Sequence, residues 1–125
     1  MAKKVLIIGG VAAGMKTASR LRRRDKDAEI TVLERGQQVS YGACGFPYYI
    51  GGDVEDFTSF THTPQGFARD AEFFKKVKGF DVLTGHEAQK IDRARKTVTV
   101  LDKADGTVKE MQYDVLVLGT GSTPV

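Results

Sequence analysis

A glycine-rich turn between an apolar run and a helical segment is the feature that most constrains the fold of this chain. Residues 3–8, KKVLII, predict a β-strand, and the turn GGVAAG follows directly. The next segment, AAGMKTASRLRRR, spaces its small and apolar residues as a helix packed on a sheet does, and residues 29–34, EITVLE, predict a second strand. Strand, helix and strand in this order form a βαβ unit, which predicts a parallel sheet.

The rest of the chain predicts short helices, short strands and a hairpin. The Thr-Pro pair that begins at Thr63 and the Asp70 before AEFFKKVKG are typical helix starts, and Gly79 is a typical helix end. The runs DVL and EAQKI are strand candidates. The Asp-Gly pair at 105–106 predicts a hairpin turn, and the hairpin continues into an apolar strand at 115–118. We therefore expect an α/β fold with a parallel sheet, flanking helices and a small antiparallel β element.

The glycine turn has features of a dinucleotide site. Gly9 permits a tight turn, Gly14 lets the helix pack closely on the strand, and the free N–H groups at the helix start can hold a pyrophosphate. Val11 replaces the middle glycine of the usual G-x-G-x-x-G pattern. Glu34 ends the second strand 20 residues after Gly14, where such sites place an acid on a ribose hydroxyl. The alternative is a plain strand-to-helix turn beside a solvated surface glutamate.

Composition excludes several classes of protein. The 125 residues, 28% charged and 41% hydrophobic, suffice for one domain with a modest core. No apolar run approaches the roughly 20 residues that span a bilayer, and the apolar start lacks a cleavage-type segment, so we expect neither a membrane protein nor a secreted one. A net charge of +3, without aromatic residues among the basic ones, gives no indication of nucleic-acid binding. His62 and His86 lack metal-ligand companions, so we expect no metal site, and the lone cysteine indicates a reducing, cytoplasmic compartment.

The segment YDVLVLGTGSTP, residues 113–124, is an apolar strand that opens into glycines. Together with the glycine turn and the acid, it resembles the FAD-dependent pyridine nucleotide-disulfide oxidoreductases, in which a later strand ends in Ala-Thr-Gly; Gly119 replaces that Ala here. The resemblance covers essentially all 125 residues and implies a Rossmann-like FAD-binding domain. The cofactor-binding residues on this interpretation are Gly9, Val11, Ala12, Ala13, Gly14, Glu34, Arg35, Ala88, Thr120 and Gly121.

The only cysteine of the chain lies in SYGACGFPYYIGG, residues 40–52. Dithiol members of the family use a C-x-x-x-x-C pair, which Cys44 alone cannot form. The sequence resembles the single-cysteine branch, and Cys-Gly-x-Pro-Tyr is most similar to its coenzyme A disulfide and persulfide reductases. Related NADH oxidases and peroxidases usually lack the Pro-Tyr pair, so Pro47 and Tyr48 discriminate between the two groups. Ala43 stands where the family often has Asn, and an alanine side chain cannot make the hydrogen bond to the substrate that the resemblance implies for Asn.

The residues around Cys44 favour a reactive thiol. Pro47 suits the first turn of a helix, so we expect Cys44 at or just before a helix N-terminus, where unpaired N–H groups and the helix dipole favour the thiolate. The alternative is a buried structural cysteine, which is the commoner role of a lone cysteine. Tyr48 and Tyr49 are expected to pack rather than to act as catalysts.

Basic residues recur along the first helix. Lys16, Arg20 and Arg23 have helical spacing and can share one side, which would suit phosphates. In the coenzyme A disulfide reductases this helix contacts the coenzyme A nucleotide, and the resemblance implies that the substrate-binding residues here are Lys16, Arg20, Arg23, Ser40 and Lys78. A solvated charged face is the alternative.

The resemblance implies that the intact enzyme passes a hydride from NAD(P)H to FAD and electrons on to Cys44, held as a mixed disulfide with coenzyme A or as a persulfide. The expected partner is a small-molecule disulfide or persulfide, and the intact enzyme is expected to be a homodimer. The alternatives are an NADH oxidase or peroxidase that uses a cysteine sulfenic acid, and a non-catalytic nucleotide-binding module. Residues 1–125 contain no second glycine fingerprint, so we expect them to be the N-terminal part of the FAD-binding domain, without the NAD(P)H-binding and dimerisation domains. Alone, the chain is expected to bind FAD weakly or not at all.

Overall fold

The computed structural model of the chain describes residues 2–125. In chain order its strands and α-helices are β1 (Lys4–Ile8), α1 (Ala13–Arg24), β2 (Glu29–Glu34), α2 (Phe46–Ile50), α3 (Ala71–Phe73), β3 (Asp81–Thr84), β4 (His86–Asp92), β5 (Thr97–Asp102), β6 (Val108–Gln112) and β7 (Val115–Leu118). A 3₁₀ turn, Ala43–Gly45, leads into α2, and another, Phe57–Phe60, follows it. The helix α3 continues as a π-helical turn, Phe74–Lys78.

The strands of the described residues form a parallel sheet and an antiparallel sheet. The parallel sheet has the order β3-β2-β1-β7, and the antiparallel sheet has the order β4-β5-β6. β1 lies centrally, with Val5 opposite Ile30 of β2 on one side and Val115 of β7 on the other. Because the carboxyl ends of parallel strands meet at one edge, the turn after β1, the end of β2 and the glycines after β7 come together there. This edge is where open α/β sheets bind ligands.

Both faces of the parallel sheet are buried along its central strands β1 and β2, which explains why these strands are nearly continuous apolar runs. Alternate side chains of each strand point to opposite faces. One face packs against α1 and the region of α3, through a cluster that includes Ile7, Val32, Met15, Ala18, Phe74 and Phe80. The other face packs against the antiparallel sheet, through Leu6, Leu33, Val98, Val100 and Tyr113.

The α/β fold predicted from the sequence is confirmed, with its parallel sheet, flanking helices and small antiparallel element. The hairpin is also confirmed, because β5 and β6 pair antiparallel and the N–H of Asp102 donates to the carbonyl of Thr107 at 2.8 Å across the turn. Gly106 in that turn has a φ of +76°, which glycine adopts without strain.

The helix predicted to start at Thr63 is wrong. Residues 63–66 form a turn, in which the N–H of Gly66 donates to the carbonyl of Thr63 at 2.9 Å. The N–H of Thr63 in turn donates to the carbonyl of Phe67 at 2.8 Å, which closes a short loop. Pro64 and Gly66 occupy the second and fourth positions, where a type I turn favours them. The sequence Thr-Pro-Gln-Gly is therefore a turn signal rather than a helix start.

The helix predicted between Asp70 and Gly79 is confirmed. The Oδ1 atom of Asp70 accepts a hydrogen bond from the N–H of Phe73 at 2.9 Å, and Gly79 ends the helix with a left-handed φ of +76°. The second half is π-helical, because the N–H of Gly79 donates to the carbonyl of Phe74, five residues earlier, at 2.8 Å. Within residues 2–125, none of the helices has the length and apolar character that crossing a membrane requires.

Candidate functional site

The turn after β1 closes so tightly that Gly9 and Gly14 must both be glycine. Gly9 has a φ of +107°, and a Cβ there would overlap the carbonyl oxygen of Gly119 after β7. A Cβ on Gly14 would overlap the carbonyl oxygen of Gly9. The N–H of Gly9 donates to the carbonyl of Leu33 at 2.8 Å, and the N–H of Gly119 donates to the carbonyl of Ile8 at 2.7 Å. The turn is therefore fixed against both neighbouring strands.

The N-terminus of α1 begins at this turn and suits an anion. Among the described residues, no side chain caps Ala12 and the first turn of α1 carries no acidic residue, whereas the last turn is basic. The N–H groups of Val11, Ala12 and Ala13 and the positive end of the helix dipole can therefore face phosphate oxygens. This donor set and the tight glycine turn fit the pyrophosphate of a dinucleotide such as FAD.

Glu34 is held at the end of β2 by the main chain. Its Oε1 atom accepts a hydrogen bond from the N–H of Gly10 at 3.1 Å, and its Oε2 atom accepts one from the N–H of Gly36 at 2.7 Å. A carboxylate has about four acceptor sites, so two of these remain for other donors. The half-buried side chain is thereby oriented to accept hydroxyl groups, as a ribose would present them.

A cleft of about 250 Å³ lies at the carboxyl edge of the parallel sheet. We call it the strand-edge cleft. Of the predicted cofactor-binding residues, those that line it are Gly9, Glu34, Arg35, Ala88, Thr120 and Gly121. The other four, Val11, Ala12, Ala13 and Gly14, lie outside this lining at the start of α1, and Val11 and Ala12 line a second groove instead. The strand-edge cleft and the glycine turn together provide apolar, acidic and N–H-donating surfaces, which fit the adenosine diphosphate half of FAD.

His86 also lines the strand-edge cleft, and the sequence did not assign it to a site. Its Nδ1 atom lies 2.7 Å from the carbonyl oxygen of Thr84, so Nδ1 carries the proton, and Nε2 lies 3.6 Å from a carboxylate oxygen of Asp102. This arrangement fixes the start of β4 beside the end of β3. No group of three or more potential metal ligands (His, Cys, Asp or Glu) within residues 2–125 is placed to hold a metal ion.

Cys44 lies in the 3₁₀ turn that leads into α2, so the predicted position near a helix start is confirmed. Its side chain is exposed within residues 2–125 rather than buried in the core of this chain. The turn rests on Phe60. The N–H of Gly42 donates to the carbonyl of Phe60 at 2.9 Å, and a Cβ on Gly45 would overlap the Phe60 ring. Phe60, which is buried, therefore fixes the main chain on both sides of the cysteine.

Aromatic side chains surround this turn. The rings of the aromatic cluster contact one another at centroid distances of 5.3–6.2 Å, and its members are Tyr41, Phe46, Tyr49, Phe57 and Phe60. The predicted packing role is thus observed for Tyr49. It is not observed for Tyr48 within the described residues, where its side chain is 60% exposed. The cluster gives the exposed cysteine a rigid support.

A groove of about 460 Å³ lies between the start of α1, the segment before Cys44 and the region of α3. We call it the basic groove. Three predicted substrate-binding residues, Lys16, Ser40 and Lys78, line it. Further residues of the lining that the sequence did not identify include Ser19, Tyr41, Gly42, Thr63 and Arg69. The described lining residues contain three cationic side chains and no carboxylate, which favours an anionic ligand.

Arg20 and Arg23 lie apart from the basic groove. Helical spacing does place them on one side of α1 with Lys16, as predicted, but that side is an exposed shallow surface. Lys16 lines both surfaces and therefore connects them. The sequence could not separate the two surfaces, because the second wall of the groove comes from Lys78, 62 residues farther along the chain.

Comparisons with known proteins agree with this geometry. The sequence profile of the pyridine nucleotide-disulphide oxidoreductases matches residues 3–125. A coenzyme A disulfide reductase from Staphylococcus epidermidis is 39% identical over 121 residues, which are 96% of this chain and 26% of the relative. An NADH oxidase from Methanocaldococcus jannaschii is 37% identical over 122 residues, 97% of this chain and 25% of the relative.

A solved structure of an NAD-dependent persulfide reductase from A. fulgidus superposes with a TM-score of 0.92 and 50% identity. The match covers 98% of this chain and 22% of the longer one. The chain thus spans about a quarter of the length of the relatives that it matches.

Proposed function

The chain belongs to the pyridine nucleotide-disulphide oxidoreductase family, and we propose that it is the N-terminal part of the FAD-binding domain of an NAD(P)H-dependent reductase of small-molecule disulfides or persulfides. The observation that carries this proposal is an exposed cysteine on a rigid turn, two residues after Gly42 in the wall of the basic groove. The names of two relatives, coenzyme A disulfide reductase and persulfide reductase, support the same substrate class.

The strand-edge cleft supports FAD as the cofactor. On this proposal, the N–H groups at the start of α1 bind the pyrophosphate, Glu34 accepts a ribose hydroxyl, and Thr120 and Gly121 line the path of the nucleotide. Arg35 and Ala88 complete the cleft around the adenosine. FAD, when bound, would supply two-electron redox chemistry between NAD(P)H and a sulfur atom.

Cys44 is the proposed nucleophile. Its thiolate attacks one sulfur of a disulfide, a new Cys44–sulfur bond forms, the substrate S–S bond breaks, and the leaving thiolate takes up a proton. With a persulfide, attack on the outer sulfur leaves that sulfur on Cys44 and releases the thiol. In either reaction the chain must present an exposed sulfur on a fixed main chain, and the contacts of Gly42 and Gly45 with Phe60 support this.

The basic groove is the proposed site for the anionic part of the substrate. Lys16 of α1, Lys78 at the end of the π-helical turn after α3, and Ser40, which has a φ of +51°, all line it. Phosphates of coenzyme A are the ligand that such a lining fits best. Arg20 and Arg23 could contact only groups that extend beyond the groove along α1.

A second candidate function is an NADH oxidase or peroxidase, which the 37% identity with the M. jannaschii relative favours. In that reaction the Cys44 thiolate would attack a peroxide, its sulfur would gain one oxygen as a sulfenic acid, and water would leave. A non-catalytic nucleotide-binding module is the remaining alternative. All three functions would use the strand-edge cleft. They differ at Cys44, which would carry a sulfur adduct in the reductase, an oxygen in the oxidase or peroxidase, and no added group in the nucleotide-binding module.

The test is made on the full-length protein. NAD(P)H oxidation is measured with coenzyme A disulfide, with coenzyme A persulfide and with oxygen alone. The proposal expects turnover with one of the sulfur acceptors well above that with oxygen. Faster turnover with oxygen would favour the oxidase, and the absence of bound flavin and of any turnover would leave the nucleotide-binding module.

A further inference from the structure

Arg69 connects the basic groove to the cysteine turn. It precedes α3 and lines the basic groove with Lys16 and Lys78. Its Nη2 atom donates a hydrogen bond to the carbonyl of Phe60, and its own main-chain N–H donates to the carbonyl of Thr61 at 3.0 Å. The guanidinium is therefore fixed by the same 3₁₀ turn that supports Cys44.

The carbonyl of Phe60 is shared between two donors. It accepts the N–H of Gly42 at 2.9 Å and the Nη2 of Arg69. Gly42 stands two residues before Cys44, and the Phe60 ring packs against Gly45, one residue after it. A displacement of Arg69 is thus transmitted through one carbonyl to the main chain that carries the sulfur.

The guanidinium of Arg69 has donors left over. Its Nε atom is buried and has no acceptor among residues 2–125. A guanidinium carries five N–H donors, and within the described residues only the bond to the Phe60 carbonyl uses one of them. The Nη donors that the Phe60 carbonyl does not use are the ones that can serve an oxyanion in the basic groove, which Arg69 lines.

We propose that Arg69 is a specificity-determining and positioning residue: it binds a phosphate group of the disulfide substrate in the basic groove and holds the Cys44 turn in a fixed relation to that group. The proposal rests on the proposed disulfide reduction. Lys16 and Lys78 contribute positive charge from flexible side chains, whereas the planar fork of Arg69 offers paired donors that match a phosphate. The anchored arginine therefore decides where the phosphate lies relative to the sulfur.

The two roles can be separated with two variants of the full-length protein. Arg69→Gln removes the charge but keeps an N–H donor for the Phe60 carbonyl. Arg69→Lys keeps the charge but loses the planar, paired N–H donors of the guanidinium. Arg93→Gln is the matched control, because Arg93 is exposed in the turn between β4 and β5, at the end of β4 that lies away from the strand-edge cleft. Flavin content and circular dichroism establish that each variant is folded.

The first measurement compares kcat/KM for coenzyme A disulfide with that for the uncharged bis(2-hydroxyethyl) disulfide. We expect Arg69→Gln to lower the ratio about tenfold, mainly through KM of the phosphate-bearing substrate, since a charge-assisted contact is lost. In Arg69→Lys the ratio should lie between those of the wild type and Arg69→Gln. In Arg93→Gln it should equal that of the wild type. A ratio in Arg69→Gln equal to that of the wild type would overturn the specificity role.

The second measurement needs no turnover. Alkylation of Cys44 by iodoacetate and by iodoacetamide is followed by mass spectrometry of the Cys44 peptide. The same thiolate attacks the CH2 carbon of either reagent and displaces iodide, so the ratio of the two rates reports the local charge and not the fraction of thiolate. Arg69→Gln should lower the iodoacetate-to-iodoacetamide ratio about threefold or more, and Arg69→Lys should preserve it.

An unchanged alkylation ratio in Arg69→Gln would show that the anion site of Arg69 is not held beside the sulfur, which would overturn the positioning role. If Arg69→Gln does not fold, the kcat/KM ratio of Arg69→Lys decides, because loss of the fork alone must lower it. Failure of the proposed function is a different result: disulfide reduction would then survive in Cys44→Ser, whatever the Arg69 variants do.

Discussion

Replacing Gly9 by alanine tests whether the close approach of β1 and β7 forms the cofactor site. A residue with a side chain held in an unfavourable φ region costs about 1–3 kcal/mol, and Gly9 has a φ of +107°. The new Cβ would also overlap the Gly119 carbonyl, and relieving an overlap with rigid neighbours costs about a further 1–3 kcal/mol. If this total of about 2–6 kcal/mol appears as lost FAD affinity, the dissociation constant rises by about 30-fold to 10⁴-fold.

Gly66→Ala is the matched control for this change. Gly66 has a similar φ of +89°, but a Cβ there meets nothing within 4 Å. Gly66→Ala therefore has the energetic cost of the unfavourable φ without that of an overlap. Its turn does not line the strand-edge cleft. FAD per protein chain is measured by absorbance after purification of both full-length variants, and FAD binding to the apoprotein is measured by fluorescence. We expect Gly9→Ala to be nearly free of flavin and Gly66→Ala to retain it. Equal, full flavin content in the two variants would show that the close approach of β1 and β7 at Gly9 does not form the cofactor site.

Further predictions concern the acid after β2, the core and the hairpin turn. Glu34→Ala should weaken FAD binding by about tenfold to a hundredfold, measured by the same fluorescence titration, because the hydroxyl acceptor is lost. Phe80→Ala should lower the free energy of unfolding by about 3–5 kcal/mol in urea denaturation, since the side chain is only 1% exposed. An NMR titration should give Asp105 a pKa below 3.8, because the main-chain N–H and the hydroxyl of Thr107 donate to its carboxylate. Its contribution to stability should be present above pH 3.8 and lost as the pH falls through the lowered pKa, whereas Asp105→Asn should show no such loss.

The sequence predicted the parts of the fold that depend on local patterns. The strand at 29–34 has the same bounds in the structure, because an apolar run between a helix and a turn is a strong local signal. The hairpin at 105–106 was predictable for a similar reason, since an Asp-Gly pair favours its turn. The helix start at Thr63 was wrong because a Thr-Pro pair also begins a β-turn, and the Gly66 that decides between them lies three residues later.

The candidate site was predictable where one segment carries it and not where distant segments meet. The glycine turn, Glu34 and Cys44 each stand out from a short stretch of sequence. Arg69 does not, because its role depends on the Phe60 carbonyl and on a groove whose other wall is α1. His86 was likewise missed, since only the pairing of distant strands brings it to the cleft.

On the proposed function, Cys44 exchanges disulfides with its substrate. The most direct measurement is the mass of the Cys44 peptide after the full-length protein has reacted with coenzyme A disulfide, before and after treatment with a reductant. We expect a coenzyme A adduct on Cys44 that the reductant removes, and neither an adduct nor disulfide reduction in Cys44→Ser. Disulfide reduction at the wild-type rate in Cys44→Ser, with no reducible adduct on Cys44 in the wild type, would show that Cys44 is not the nucleophile.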